Sequence, residues 1–107
     1  MDLSKKKCIT CEGGMPPMSY SLIKKYLKQV KNWKLKNKHL YKEFKFNNFK
    51  ETLKFVNKIG KVAERKGHHP NIYFTYGKCN IEIWTHSVNG LSINDFILAA
   101  NIDKIKA

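Results

Sequence analysis

The sequence predicts an α+β fold in the order α-β-β-α-β-β-α: a four-stranded antiparallel sheet with three helices packed on one face. Three observations predict it. Helical apolar stripes recur around residues 19–31, 49–66 and 93–104. Pairs of short alternating runs fall between them, each pair broken by a turn signal, Asn37-Lys38 and Gly77-Lys78. Two hairpins joined by a helix most simply share one sheet, with the helices covering its apolar face.

The elements follow in order. Residues 1–18 read as a flexible tail ahead of a single domain at 19–107. The tail holds Lys5-Lys6-Lys7, Gly13-Gly14 and Pro16-Pro17 and has no periodicity. Ser19 or Ser21 caps a first helix running to about Lys31, with Leu22, Ile23, Tyr26, Leu27 and Val30 as its stripe. Trp33, Leu35, Leu40, Phe44 and Phe46 alternate with lysines around Asn37-Lys38, a hairpin with one apolar face. His39, beside that turn, reads as an ordinary exposed residue. Asn48 and Glu51 resemble a capping box, followed by Phe49, Leu53, Phe55, Val56, Ile59, Val62 and Ala63 as a broad helical stripe. Gly67 is placed just past the end of this helix. Asn89-Gly90 marks a further turn, and Ser92 to Asp95 forms a second capping box. The last helix then buries Ile93, Phe96, Ile97, Ala100 and Ile105.

The second hairpin carries the chemistry. Three of the four histidines lie between Glu64 and Asp95. Histidine titrates near neutrality, so it can donate or accept a proton at working pH. Residues 71–76 and 79–86 have strand character, and Gly77-Lys78 fits a two-residue loop with glycine first. That loop sets Tyr76 opposite Cys79, Phe74 opposite Ile81, Ile72 opposite Ile83 and Tyr73 opposite Glu82. Extrapolated to its open end, the ladder sets His69 opposite His86. Ile72, Phe74, Ile81 and Ile83 form the core face, and Tyr73, Thr75, Glu82 and Trp84 the other. Pro70 biases His69 to an extended conformation and leaves His68 in the preceding loop. Asp95 caps a helix in this reading and stands ready to orient a histidine, while Glu64 is of interest for its nearness to His68.

Composition narrows the function. With 107 residues, 42% of them apolar, the chain is long enough for one core. No run approaches the roughly 18 apolar residues of a membrane span. The charged start, Met1 to Lys7, is followed by no apolar segment, so the expected location is a reducing compartment, the cytoplasm and also the nucleus. Three cysteines, an odd number, argue against a disulfide framework. The net charge of +13 suggests a polyanion, yet Arg65 is the sole arginine among 21 basic residues and the lysines are spread throughout. Base-reading surfaces favour arginine's planar fork, so no specific nucleic acid is expected. Cys8 and Cys11 form a CxxC pair with no second pair to complete a zinc site, which needs about four ligands. They read as reduced thiols.

The pattern Ala63-Glu64, His68-His69-Pro70, Tyr76, Thr85-His86, Gly90-Leu91, Asp95 and Ala99 resembles pterin-4a-carbinolamine dehydratase. The resemblance extends upstream through Trp33, Leu35, Leu40, Phe44, Phe46, Phe49 and Phe55, and to Cys11-Glu12-Gly13-Gly14 followed by Pro16-Pro17, similar to the start of many bacterial-type members. Asn71 departs from the acidic residue often found after the proline. The resemblance implies a metal-independent hydro-lyase with no cofactor. It dehydrates 4a-hydroxytetrahydrobiopterin, left by aromatic amino acid hydroxylases, to quinonoid dihydrobiopterin and water during pterin recycling. His68 and His86 would donate or accept protons, and His69 would bind the pterin and act as a base, a catalytic residue like them. Asp95 would orient His86, and Glu64, Pro70, Trp84 and Thr85 would support the pocket. The family also implies a homodimer or homotetramer.

Two other classes fit parts of the pattern. His68, His69, His86 and Asp95 could form a zinc site, although adjacent strand residues point to opposite faces. Animal members of the family double as a dimerisation cofactor for a transcription factor, but nothing in the sequence marks such a partner surface. Three purely structural histidines are the plainest alternative.

Overall fold

In the computed structural model, which describes residues 3–5 and 18–105, local sequence signals set most of the elements. Ser19 accepts from the Leu22 N–H and opens α1, Tyr20–Leu27. Asn37 and Lys38 both adopt left-handed backbone, φ 51° and 63°, as a tight two-residue hairpin requires. They join β1, Lys34–Lys36, to β2, His39–Lys45, with Lys36 opposite His39. Asn48 accepts from the Glu51 N–H at 2.8 Å and starts α2, Phe49–Lys66. Gly67, at φ 65°, ends it in the left-handed cap. The chain then forms β3, Asn71–Thr75, β4, Lys78–Ile83, and α3, Ile93–Asp103.

The first helix is shorter than the sequence predicts. It stops at Leu27 rather than near Lys31 because i to i−3 bonds tighten the chain there, Gln29 N–H to Tyr26 O and Val30 N–H to Leu27 O. Val30 still turns inward and is buried. Asn32, at φ 65°, then reverses the chain into β1. Of the expected tail, Leu3 packs in the core in a short turn, Leu3–Lys5, against α3, and the Met18 N–H donates to Leu91 O at 2.8 Å; residues 1–2 and 6–17, with Cys8 and Cys11, lie outside the described residues.

The strands form one antiparallel sheet in the order β1-β2-β4-β3. The second hairpin corrects the predicted register. Thr75 faces Lys78, so the loop is Tyr76-Gly77, with glycine in the second central position at φ 74°. Phe74 then faces Cys79, Ile72 faces Ile81 and Tyr73 faces Asn80. Strand β2 explains the choice. The Phe46 N–H donates to Gly77 O at 2.8 Å, and a Cβ on residue 77 would lie 2.9 Å from Phe46 O. The slip is two residues, so each side chain keeps its predicted face. The expected pairing of His69 with His86 is lost, because the ladder ends at Asn71 and Glu82.

Leu40, Cys79, Ile81 and Ile83 are fully buried on the helix-covered face. Phe55, Ile59 and Val62 of α2 and Phe96, Leu98, Ala99 and Ile102 of α3 complete the core. Helix α3 is buried round most of its circumference, which a single stripe does not predict. Asp103 ties its end to the sheet: the Trp33 Nε1–H donates to its carboxylate at 3.0 and 3.1 Å, and Lys42 Nζ donates at 2.8 Å. Among the described residues no helix is long and apolar enough to cross a membrane.

Candidate active site

Gly67 sends the chain back over the end of α2, where the His68 N–H bonds Ala63 O at 3.2 Å. His68 and His69 therefore leave the helix just before β3. On the neighbouring strand, Thr85 follows β4 and is fixed by a bridge to Gly90, its N–H donating to Gly90 O at 2.8 Å. The short helical turn His86–Val88 fills the space between them. Gly90-Leu91 then leads into α3, whose third residue is Asp95.

Asp95 is the hub. It is fully buried. Its Oδ1 accepts the His68 Nε2–H at 2.6 Å, and its Oδ2 accepts the Thr85 hydroxyl at 2.9 Å and the Ser92 N–H at 2.8 Å. The last bond is the return half of the predicted capping box. Because the Thr85 proton goes to Asp95, the Ser92 hydroxyl donates to Thr85 Oγ1 at 2.8 Å. Three converging donors suit a carboxylate, which accepts only. The consequence for His68 is a fixed tautomer. Its Nε2 carries the proton held by Asp95, leaving Nδ1 as the nitrogen that can accept one.

The other histidines are held differently. His69 donates Nε2–H to Glu64 at 2.5 Å, and both side chains are exposed. His86 is exposed, and its ring lies 4.4 Å, centroid to centroid, from the Trp84 ring. Trp84 in turn stacks on His39 at 4.0 Å and an interplanar angle of 8°. His39 donates Nδ1–H to Glu82 at 2.9 Å.

Three sequence expectations change. Asp95 holds His68, not His86, because the bridge at Thr85 turns the chain before His86. Glu64 pairs with His69, not His68, since the cap at Gly67 leaves the exposed residue beside the last turn of α2. His39 is not an ordinary exposed residue: it is partly buried against Trp84. Sequence reasoning also missed Ser92 as a partner of Thr85. The spacing of Thr85 and Ser92 around Asn89-Gly90 was the available signal, whereas His39 needed the non-local pairing of β2 with β4.

Among the described residues no three His, Cys, Asp or Glu side chains converge to hold a metal ion. Burial pushes the Cys79 thiol from 9.0 up to about 11, so it is a poor nucleophile.

The family model described as pterin 4 alpha carbinolamine dehydratase matches residues 16–105. A Rickettsia canadensis protein with the provisional name pterin-4-alpha-carbinolamine dehydratase is 53% identical over 94% of each chain. An Alkaliphilus metalliredigens protein with the same provisional name is 49% identical over 96% of this chain and 95% of its own. Among solved structures, a transcriptional coactivator/pterin dehydratase from Brucella melitensis superposes with TM-score 0.77, covering 81% of this chain and 95% of that one, at 24% identity. That likeness shows the fold.

Proposed function

The chain belongs to the pterin-4a-carbinolamine dehydratase family, and on that premise we propose that it dehydrates 4a-hydroxytetrahydrobiopterin to quinonoid dihydrobiopterin and water, as a hydro-lyase of pterin recycling. The observation that carries this reading is the His68–Asp95–Thr85 chain, at 2.6 and 2.9 Å around a fully buried carboxylate. It supplies an imidazole of fixed tautomer and fixed position, which a proton-transfer site needs.

The reaction removes a hydroxyl from carbon 4a and a proton from the adjacent nitrogen. A proton is placed on the hydroxyl oxygen, and the carbon–oxygen bond breaks with its electron pair leaving in water. An imidazole takes the proton from nitrogen, whose electron pair closes the carbon–nitrogen double bond. Atoms and charge balance without a redox partner. In this reading His68, through Nδ1, and His86 exchange these protons from separate positions and so serve substrate stereoisomers with opposite hydroxyl faces. His69 binds the pterin, supported by Glu64. Thr85 and Asp95 hold His68, while Trp84 and Pro70 border the site. The same family reading carries a homodimer or homotetramer.

A stopped assay with freshly prepared racemic substrate, run in chelator, tests the proposal. Full activity is expected, because proton transfer needs no Lewis acid. His68→Ala and His86→Ala should each retain turnover on part of the racemate, and His69→Ala should lose both parts. Unchanged turnover in all three variants refutes the assignment.

A further inference from the structure

The three site histidines are not anchored alike. His68 is held by a buried carboxylate and His69 by an exposed one. Among the described residues the His86 ring has no hydrogen-bond partner, and what it touches is the Trp84 indole, at 4.4 Å and 45°. A proton-transferring imidazole on an exposed turn needs something to fix its place, because small displacements of a reacting group are costly to rate.

The indole itself is clamped. Leu40 pairs with Ile83 across the sheet, which sets His39 of β2 directly opposite Trp84. The two rings lie nearly parallel, 8° apart, with centroids 4.0 Å apart. The imidazole cannot slide freely over the indole, because its Nδ1–H is tied to Glu82 at 2.9 Å. Glu82 belongs to the same strand face as Trp84, two residues earlier. The series therefore runs Glu82, His39, Trp84, His86, from a carboxylate to a ring with no hydrogen-bond partner among the described residues. Glu82 and His39 are only about one-third and one-quarter exposed, 35% and 24%, so the pair is sheltered by the sheet.

We infer that His39 is a positioning residue of the site: bound by Glu82 and stacked on Trp84, it fixes the indole against which His86 rests. The inference builds on the proposed role of His86 and adds a residue from the first hairpin to that site. It also gives a reason for an imidazole at this position. An aliphatic side chain would cover the indole but would not be held by Glu82.

The test uses the full chain with His39→Ala, His39→Phe and Glu82→Gln, and reads two things. The first is turnover on racemic 4a-hydroxytetrahydropterin. On the part of the racemate that His86→Ala leaves unconverted, His39→Ala is expected to lower kcat about tenfold with KM nearly unchanged, and His39→Phe, which keeps a stacked ring, to recover most of it. The second needs no substrate: the ring resonance of His86, identified by its loss in His86→Gln. It should shift in His39→Ala and, to a smaller extent, in Glu82→Gln, while the His68 resonance stays in place. Wild-type kcat together with an unshifted His86 resonance in His39→Ala overturns the inference. If His39→Ala does not fold, Glu82→Gln, which leaves both rings, decides in the same way. Absence of dehydratase activity in the wild-type chain would refute the functional reading, and the His86 resonance would still decide whether His39 holds the ring in place.

Discussion

Replacing Asp95 with asparagine separates the two duties of that carboxylate. The three bonds divide unequally: Oδ1 serves His68, and Oδ2 serves Thr85 and Ser92. An asparagine that places its oxygen at Oδ2 keeps both of the latter donors but makes them neutral. Bonds to charged groups are worth about 1.5–3 kcal/mol and neutral ones about 0.5–1.5, so the two together weaken by about 2 kcal/mol. For a domain of this size that is a melting temperature lower by about 8–16 °C. At His68 the change is of another kind. The amide NH2 now faces Nε2, which must accept, so the ring proton moves to Nδ1. The nitrogen that the site would use as a base is then occupied.

Turnover of the part of the racemate that His68 serves should consequently fall by about 10²–10⁴-fold, the usual worth of general acid–base help. The assay is kcat on the part of fresh racemic 4a-hydroxytetrahydropterin that His68→Ala leaves unconverted, well below both melting temperatures, with thermal unfolding followed in parallel. Asp95→Ala serves as the structural reference, because it also abandons the cap and should cost about 3–5 kcal/mol. If Asp95→Asn melts early yet keeps kcat on that part of the racemate within about threefold of wild type, Asp95 is a helix cap and the tautomer argument is wrong.

Three further outcomes are expected. Gly77→Ala should destabilise the fold by about 2–4 kcal/mol in urea unfolding, since residue 77 needs φ 74° and a Cβ there would lie 2.9 Å from Phe46 O. Asp103→Ala should cost about 2 kcal/mol in the same assay, by leaving Trp33 Nε1–H and Lys42 without their shared acceptor, with dehydratase activity per folded molecule unchanged. Burial raises the Cys79 thiol from 9.0 to about 11 in the folded state, so its contribution to stability is present below pH 9 and lost as pH rises toward 11. Urea midpoints measured across that range should decline in the wild type and decline less in Cys79→Ala.

What was legible in the sequence follows from how local each signal is. Asn48 with Glu51, Ser92 with Asp95, Gly67 and Asn37-Lys38 act within a few residues, and each forms the cap or turn it predicts. The hairpin register was not legible, because Gly77 fits two loop positions equally well. The Phe46 backbone, distant in sequence, selects the one that accommodates a missing Cβ. The stripe on α3 named Phe96 and Ile97 but not Leu98 or Ile102, because α2, the sheet and the turn at Leu3 enclose the helix from several sides. In the site, Asp95 was legible as a cap and Thr85 as a pocket residue by resemblance. Which histidine Asp95 holds was not, because that depends on where the Thr85–Gly90 bridge turns the chain.

The placement of Asp95 explains why one carboxylate can serve both fold and site. A helix N-terminus presents unpaired N–H groups and the positive end of the helix dipole, so a carboxylate in the first turn is stabilised there. Asp95 satisfies the Ser92 N–H and is fixed in position by that bond independently of any histidine. Thr85 takes a second lone pair from a residue locked by its own backbone bridge. The remaining oxygen, Oδ1, accepts from His68, which the left-handed cap at Gly67 turns out of α2. The geometry at His68 thus derives from contacts that stabilise the fold in any case, and its rigidity needs no separate device. His69 and His86 lie outside that buried network, one beside an exposed glutamate and the other against an indole. Their freedom differs from that of His68 for the same physical reason: neither reaches a carboxylate that the fold has already immobilised.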